Sequence, residues 1–460
     1  MSVDRGRLPA PGPVAAPRLP EVRRSRLANG LAVWTAEHHS VPIVTIVLVV
    51  PAGAAQDPAA RPGLASLTGD MLDEGSGTRS AIDMHDALAR IGAQFDTEVG
   101  ADATLVALTT LARHREPGLQ LLADVALRPT LAEADFERVR RLRLNRLQQL
   151  RDLAPFVAER AFARWIYGDH PYGHVPVGDE TALAAMTIDD VRQFHRRVFV
   201  PDGATVIAVG DAPHDAMAAA VAGAFGGWPA RTGAHVPVDL PEPPDDPPAG
   251  RLALVDRPAA AQSELRIGQV AAARDTPDYH ALLVLNTILG GQFISRINMN
   301  LRQAKGYTYG ARTAFDFRRR RGPFQFESSV KSSVTVDALR EAMGELEAIR
   351  GARPATADEI EAACTALTRG YARNFETAQQ VARAMSQLAL YGLPDDYFQQ
   401  FVPRVEAIDE ADVLRVAREY LHPDRMGVLV VGDRDVVEPG LAALSLGPPT
   451  ILPAGGAVPA

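Results

Sequence analysis

The chain has 460 residues, a net charge of −8 and 47% apolar residues. This length predicts two or more domains, and the composition is typical of a soluble globular protein. The acidic balance disfavours nucleic acid or an anionic membrane as a partner. The single cysteine, Cys364, excludes an intramolecular disulfide framework, and no apolar run approaches the roughly 20 residues that a membrane-spanning helix needs.

The first elements are an arm and two strands. Residues 1–22 are rich in proline, alanine and arginine and lack the apolar core of a secretory signal peptide, so we expect a disordered arm on a cytoplasmic protein. The Asn29–Gly30 turn signal introduces a strand at Leu31–Ala36. The β-branched run Ile43–Val50 predicts a buried strand.

The stretch Gly63–Gly75, GLASLTGDMLDEG, predicts a short helix that Pro62 introduces and that buries one apolar stripe. The neighbouring face carries Ser66, Gly69 and Asp70. A glycine inside a helix costs about 1 kcal/mol relative to alanine. The local sequence gives no reason for that cost at Gly69, so this face requires another explanation.

Further elements alternate in blocks rather than one by one. A helix at Ile82–Ile91 is followed by strands at Gln94–Val99 and Ala103–Leu111 and then by long helices. In the first long helix Arg146 interrupts an apolar stripe, which consists of Phe136, Val139, Leu142, Leu147 and Leu150. Strands and helices in blocks predict an α+β fold with largely antiparallel sheets.

The two halves of the chain resemble each other. Asp190–Asp211, DVRQFHRRVFVPDGATVIAVGD, matches Asp412–Asp433, DVLRVAREYLHPDRMGVLVVGD, without a gap and at a constant offset of 222 residues. This repeat indicates a duplicated domain. We expect the domains to cover residues 23–235 and 251–437, joined by the proline-rich linker 236–250.

Two other segments have a compositional interpretation. Residues 438–460 are rich in proline, alanine and glycine and predict a loose C-terminal tail. The basic run Arg318–Arg321 is interpreted as a solvated hairpin tip rather than as a binding patch.

The sequence GLASLTGDMLDEGSGTRS resembles the active-site helix of the insulinase/pitrilysin zinc metallopeptidases. In that family a His-x-x-Glu-His motif supplies two zinc ligands and the general base. Ser66 stands at the first histidine, Gly69 at the base and Asp70 at the second histidine, and the family's spacing places Arg146 at the third ligand. The resemblance implies that this chain holds no metal and that Asp70 and Arg146 meet in its place.

A second resemblance lies in LGGQFISRINMNLRQAKGYTYGART, Leu289–Thr313. It resembles the family segment in which an arginine and a tyrosine, seven residues apart, hold the substrate backbone and stabilise the oxyanion. Here these residues are Arg302 and Tyr309. We expect Gly306 to end the helix that carries Arg302. Tyr307 and Tyr309 are expected to share one face of the next strand, and Tyr307 stays an alternative.

These resemblances imply a two-lobed, clamshell-like α+β fold and a zinc-free subunit of a heterodimeric peptidase. Such a chain binds an extended peptide along a sheet edge, uses Gly290–Gly291 as a substrate loop, and lends Arg302 and Tyr309 to the zinc site of a homologous partner. One alternative is a structural or assembly subunit derived from a peptidase, as among respiratory-complex core proteins. Another is a self-sufficient peptidase with different ligands.

Overall fold

The computed structural model of the protein describes residue 12 and residues 19–230, 239–247 and 249–456. The predicted arm therefore lies largely outside the described residues, as does part of the predicted linker. Within the described ranges, no helix combines the length and the apolar character needed to cross a membrane.

The first half contains eight strands and eight α-helices among its described residues. Its strands are β1 (Val22–Arg26), β2 (Ala32–Glu37), β3 (Ile43–Val50), β4 (Gly75–Ser76), β5 (Arg79–Ser80), β6 (Gln94–Val99), β7 (Thr104–Leu111) and β8 (Thr205–Gly210). Its helices are α1 (Leu64–Asp70), α2 (Ala81–Arg90), α3 (Arg115–Leu127), α4 (Glu133–Leu150), α5 (Ala154–Tyr167), α6 (Glu180–Ala185), α7 (Ile188–Val198) and α8 (His214–Phe225).

The second half follows the same plan. Its strands are β9 (Leu252–Asp256), β10 (Gln262–Val270), β11 (Thr308–Phe315), β12 (Pro323–Lys331), β13 (Gly427–Gly432) and β14 (Thr450–Leu452). Its helices are α9 (Tyr279–Leu289), α10 (Arg296–Asn298), α11 (Thr335–Ala348), α12 (Ala357–Thr368), α13 (Ala378–Tyr391), α14 (Phe401–Glu406), α15 (Glu410–Tyr420) and α16 (Arg434–Leu441), and α10 continues as a π-helix over Met299–Ala304.

Five strands of each main sheet share one topology. The sixth differs, because β1 precedes β2 and pairs with it antiparallel, whereas β14 follows β13 in the chain and pairs with β9 in parallel. Their strand orders are β1-β2-β8-β3-β7-β6 and β14-β9-β13-β10-β12-β11. In the first sheet β2 runs parallel to β8, and in the second β9 runs parallel to β13. Strands β3 and β10 are antiparallel to both of their neighbours. The bounds of α15 and β13 equal those of α7 and β8 shifted by 222 residues. The predicted duplication and the α+β fold class are therefore confirmed.

The two halves are held together by an exchange of equivalent helices. Helix α5 of the first half packs on β10 and β13 of the second, where Trp165 lies against Gly427. Helix α13 of the second half packs on β3 and β8 of the first, where Met385 joins the cluster that contains Val47. Each sheet therefore buries one face with helices of its own half and the other face with a helix of the opposite half.

The basic run Arg318–Arg321 is not a solvated tip, which corrects the expectation from sequence. Arg320 pairs with Asp239 and Glu242 of the linker at 2.5 and 2.8 Å, and Arg321 pairs with Asp245 at 2.8 Å. The basic tip and the acidic linker are distant in sequence but oppositely charged. They neutralise each other across the boundary between the halves.

The predicted tail also needs correction. Residues 450–452 form β14, which pairs in parallel with β9 and buries Leu452. A three-residue strand flanked by prolines is too short to show the alternation by which strands are recognised in sequence.

Candidate functional site

Helix α1 carries Ser66, Gly69 and Asp70, and its N-terminal end is anchored by a buried carboxylate. Asp57 accepts hydrogen bonds from the backbone N–H groups of Gly63 and Ala65 at 2.6 and 2.7 Å. Its side chain is fully buried and also contacts His174 Nε2 at 3.0 Å. Asp57 satisfies two N–H groups that a helix start leaves unpaired, although it lies outside the helix motif and was missed from sequence.

Gly69 has a packing reason that the local sequence does not show. A Cβ atom at this position would lie 2.9 Å from Val99 Cγ2 and 3.3 Å from Thr97 Cγ2, both on edge strand β6. The strand thus crosses the helix at the position that the sequence resemblance assigns to the family's catalytic glutamate. A Cβ at this position requires the Val99 side chain, or the strand that carries it, to shift.

The ion pair expected between Asp70 and Arg146 forms with Arg143 instead. Arg143 donates from Nε to Asp70 Oδ2 at 3.1 Å and from its Nη2 to the same oxygen, and it also donates to Ser66 Oγ at 3.1 Å. Only 8% of the Arg143 side chain is exposed, whereas 48% of the Asp70 side chain is. Arg146 is exposed and lines a cavity that Ser66 and Asp70 also line.

A signal for Arg143 was present in the sequence. At about 100° per residue, position 143 projects within about 20° of Phe136, whereas position 146 projects about 80° away. The buried stripe of α4 consists of Phe136, Val139, Arg143 and Leu147. Leu142, which the sequence placed in the stripe, is 58% exposed. A search for apolar residues overlooks Arg143, because arginine is charged. The helical angle places its side chain at the centre of the buried stripe.

The residues at this position do not suit zinc. A serine hydroxyl and one carboxylate face a guanidinium, a permanent cation that repels a metal ion. Across the described part of the chain, no three His, Cys, Asp or Glu side chains are grouped so that they could hold a metal. The cavity that includes Ser66 and Asp70 measures about 590 Å³ and also contains Asp73, whose carboxyl pKa is raised by burial.

Arg302 and Tyr309 lie in the second half, on either side of Gly306. Gly306 has φ of 68°, the left-handed conformation expected after the helix. The guanidinium carbon of Arg302 lies 4.2 Å from the centre of the Phe293 ring, which is itself 63% exposed. Tyr309 is 93% exposed and Tyr307 is only partly exposed. The two tyrosines therefore do not share a face, contrary to expectation, and Tyr309 is the more accessible phenol.

The glycine pair lies where two backbone segments approach closely. A Cβ on Gly290 would lie 2.5 Å from the Thr313 backbone nitrogen, and one on Gly291 would lie 2.6 Å from Asn286 Nδ2. Both positions exclude larger residues because a side chain would collide with these groups. The pair borders a cleft of about 840 Å³ between the halves.

Helix α4 connects the two regions. Its Leu142, Arg143 and Arg146 line the cavity beside α1, and Leu150, at its end, lines the cleft beside Gly290. The altered metal position and the glycine loop are therefore arranged along one helix, on the face where the halves meet.

Family models match both halves of the chain. Residues 32–174 match the model described as insulinase (peptidase family M16), and residues 185–367 match the peptidase M16 inactive domain. The chain belongs to the insulinase family. Within that family it is a member whose first half lacks the zinc-binding residues.

Relatives of the chain are described as zinc proteases. An uncharacterized zinc protease of Mycobacterium bovis is 27% identical over 71% of this chain and 74% of its own length. One of Streptomyces coelicolor is 24% identical over 87% of each chain. A probable mitochondrial-processing peptidase subunit beta of Schizosaccharomyces pombe is 21% identical over 44% of each chain.

Solved structures agree in fold. The peptidase M16 inactive domain structure from Pseudomonas fluorescens superposes with a TM-score of 0.83 at 24% identity, covering 90% of this chain and 98% of that one. A protease from Helicobacter pylori gives 0.85 at 19% identity, covering 90% of this chain and all of that one. At these identities the likeness establishes the fold alone.

Proposed function

We propose that the chain is the zinc-free subunit of a heterodimeric metallopeptidase, which binds a peptide and supplies Arg302 and Tyr309 to the active site of a homologous, zinc-bearing partner. One observation carries this proposal. In the second half Tyr309 is 93% exposed and Arg302 is partly exposed, while the position expected for the metal in the first half holds the Arg143–Asp70 pair. The chain displays part of a catalytic site without the group that makes the nucleophile.

The chemistry divides between the two subunits. Zinc in the partner would lower the pKa of a bound water and so generate the nucleophile. In this chain the phenol of Tyr309 donates a hydrogen bond to the oxyanion that forms at the scissile carbonyl. The several N–H groups of Arg302 hold a neighbouring carbonyl or carboxylate of the peptide.

Two sheet edges are available for an extended peptide. Strands β6 and β11 are each one of the two outer strands of their sheet, with β1 and β14 at the opposite edges. Among the described residues, each therefore has one side without a neighbouring strand. A peptide that adds to such an edge gains backbone hydrogen bonds along its length. We place the peptide on β6, because Phe95, Asp96 and Thr97 of that strand line the same cavity as Ser66 and Asp70.

A cysteine-based peptidase has little support. The thiol of Cys364 donates to the carbonyl of Val405 at 3.3 Å, and burial raises its pKa. A raised pKa reduces the thiolate fraction, and the thiolate is the nucleophile.

Reconstitution with a candidate partner tests the proposed function. The partner would be a homologous chain of the same organism with an intact His-x-x-Glu-His motif, and the readouts would be co-elution and cleavage of a fluorogenic peptide. We expect no cleavage by this chain alone and cleavage by the pair. Tyr309→Phe should lower kcat by about 10²–10³-fold, the loss typical of removing one oxyanion donor. Arg302→Ala should weaken both substrate binding and turnover.

Matched controls separate these roles from general damage. Tyr307→Phe removes a phenol two residues away, and Arg340→Ala removes an arginine that is exposed on α11 and pairs with Asp337. Both should leave cleavage close to wild type. Full activity of the Arg302→Ala, Tyr309→Phe double variant in the assembled pair would reject the catalytic role and favour a structural or assembly subunit.

A further inference from the structure

The exposure of Tyr309 results from an irregularity in β11. Thr308 pairs with Val330 and Ala311 pairs with Ser328. Tyr309 and Gly310 therefore stand opposite the single residue Ser329, which defines a β-bulge. One extra residue shifts the alternation of the strand.

The shift decides which way Tyr309 points. In a regular strand, positions 309, 311 and 313 lie on one face. Ala311 and Thr313 are buried, but Tyr309 is 93% exposed. Without the bulge, the alternation of β11 would turn the phenol toward the buried face.

The fold itself does not require this bulge. Strand β6 is the equivalent edge strand of the first half, and it pairs with β7 in unbroken register from Gln94 to Val99. The two sheets share the topology of five strands, β6 and β11 included, so the irregularity in β11 is particular to the second half, which carries Tyr309. Bulges recur beside active sites, where they redirect a side chain.

Two hydroxyl groups replace the ladder bonds that the bulge interrupts. Thr308 Oγ1 donates to the carbonyl of Ser329 at 2.7 Å and accepts from the backbone N–H of Gly310 at 3.0 Å. Ser328 Oγ donates to the carbonyl of Gly310 at 2.9 Å. The backbone groups of Gly310 and the carbonyl of Ser329, which lies opposite the bulge, are thus satisfied by side chains.

A third side chain connects the bulge to Phe293, whose ring contacts Arg302. Buried Asn298 accepts from the backbone N–H of Ala311 at 3.0 Å and donates to the carbonyl of Phe293 at 2.6 Å. The ring of Phe293 contacts the guanidinium of Arg302. One amide therefore joins the strand after Tyr309 to the residue on which Arg302 rests.

We propose that Thr308, Ser328 and Asn298 are positioning residues: they hold the bulge that turns Tyr309 outward and keep Tyr309 and Arg302 in a constant relation to each other. The effect of these residues on catalysis rests on the proposed function of Tyr309 and Arg302. The bulge itself is a property of the free chain and is tested separately.

Hydrogen exchange on the purified full chain tests the bulge. Thr308→Val removes the hydroxyl and keeps the shape, so exchange at Gly310 should accelerate by about 2- to 10-fold, as expected when a local opening costs roughly one hydrogen bond less. Thr308→Ser keeps the hydroxyl and should retain protection. The matched control is Thr110→Val in β7, which removes a hydroxyl that donates to the carbonyl of Ile91 at 2.8 Å. Unchanged exchange at Gly310 in Thr308→Val would overturn the inference.

Kinetics of the reconstituted pair tests the positioning role. Thr308→Val should lower kcat about tenfold with KM nearly unchanged, and Thr308→Ser should restore kcat. In a Tyr309→Phe background the same substitution should cost little further, because residues that act through one another are not additive. An equal loss in both backgrounds would overturn the positioning role. No loss from Tyr309→Phe alone would instead reject the proposed function, and the exchange measurement would then decide whether the bulge stands.

Discussion

The two halves share the order of five strands but differ between their first helix and the edge strand that follows it in sequence. In the first half this interval contains β4, β5 and α2, and the edge strand β6 is regular. In the second half it contains the Gly290–Gly291 loop, α10 and a π-helix, and the edge strand β11 is bulged. The comparison shows that the sheet and its covering helices are constant, while the segments around the shared face are variable.

The same comparison explains why one half is closed and the other exposed. The first half brings β6 against α1 at Gly69, and Arg143 pairs with Asp70 and Ser66 at the position where the resemblance expects a metal. The second half leaves Phe293 and Tyr309 on the surface. Both sheets are covered by helices on two faces, so this difference lies in the segments beside the edge strands.

The largest expected effect comes from breaking the helix exchange. Trp165→Ala removes a fully buried ring from the contact of α5 with the second-half sheet and should lower the free energy of unfolding by about 3–5 kcal/mol. Met385→Ala makes the reciprocal change in α13 and should cost about 2–5 kcal/mol. Urea unfolding followed by fluorescence and circular dichroism should show one shared transition. Two separated transitions in the wild type would contradict the interlocked arrangement.

Each half contains a buried histidine, and the two differ in their hydrogen bonding. His195 of the first half contacts the carbonyl of Ala126 at 2.9 Å, whereas Nε2 of His280 has no hydrogen-bond partner among the described residues. Burial lowers the pKa of His280 to about 4, with Arg404 and Arg274 acting in the same direction.

The unfolded chain therefore binds a proton at His280 near the ordinary pKa of 6.5, and the folded chain does so only near pH 4. The free energy of unfolding should fall by roughly 2–3 kcal/mol as the pH drops from about 6.5 to about 4. In His280→Phe this part of the acid dependence should disappear. Thermal melts of both proteins between pH 7 and 4 measure it, and parallel curves would contradict the expectation.

A smaller effect is expected at the former metal position. Arg143→Met should cost about 1–3 kcal/mol, because it removes charge-assisted hydrogen bonds while Asp70 is half exposed and retains water. Asp70→Asn should cost less, and the double variant should cost less than the sum of the two. Arg146→Met, one helical turn away, is the control and should change urea stability by at most about 0.5 kcal/mol. An equal loss of stability from Arg146→Met would indicate that Asp70 pairs with Arg146, as expected from sequence.

The smallest effect concerns Gly69. Gly69→Ala gains about 1 kcal/mol of helix propensity, but it brings a Cβ to 2.9 Å from Val99 Cγ2. Val99 is β-branched and has little rotamer freedom, so we expect a small net loss of stability. In a Val99→Ala background the same substitution should stabilise by up to about 1 kcal/mol. Stabilisation of equal size in both backgrounds would show that β6 does not constrain the helix.

Sequence predicted the features that repeat and missed those that depend on contacts between distant segments. The 222-residue offset identified the duplication, because α7, β8 and their copies are continuous and gapless. Family spacing pointed to Arg146 as the partner of Asp70, but the contact is made by Arg143, which the helical angles place at the centre of the buried stripe. The glycine at position 69 required the course of β6, which no local pattern contains.

The orientation of Tyr309 was unpredictable for a related reason. A bulge adds one residue to one strand, and its position depends on pairing with β12, which lies beyond an intervening turn. The hydroxyls of Thr308 and Ser328 that stabilise it are common in ordinary strands. The basic run at 318–321 was similarly misassigned because its acidic partners lie about 80 residues earlier in the chain.

The exchanged helices also affect how the chain is made. After β8 is synthesised, the apolar face that contains Val47 and Ile207 stays uncovered until α13 has been added. The roughly 180 residues between them take about 10–40 s at bacterial-to-eukaryotic elongation rates of about 5–20 residues per second. During that interval the nascent first half presents a half-covered sheet. Chaperone binding during translation should therefore be strongest between the emergence of β8 and that of α13.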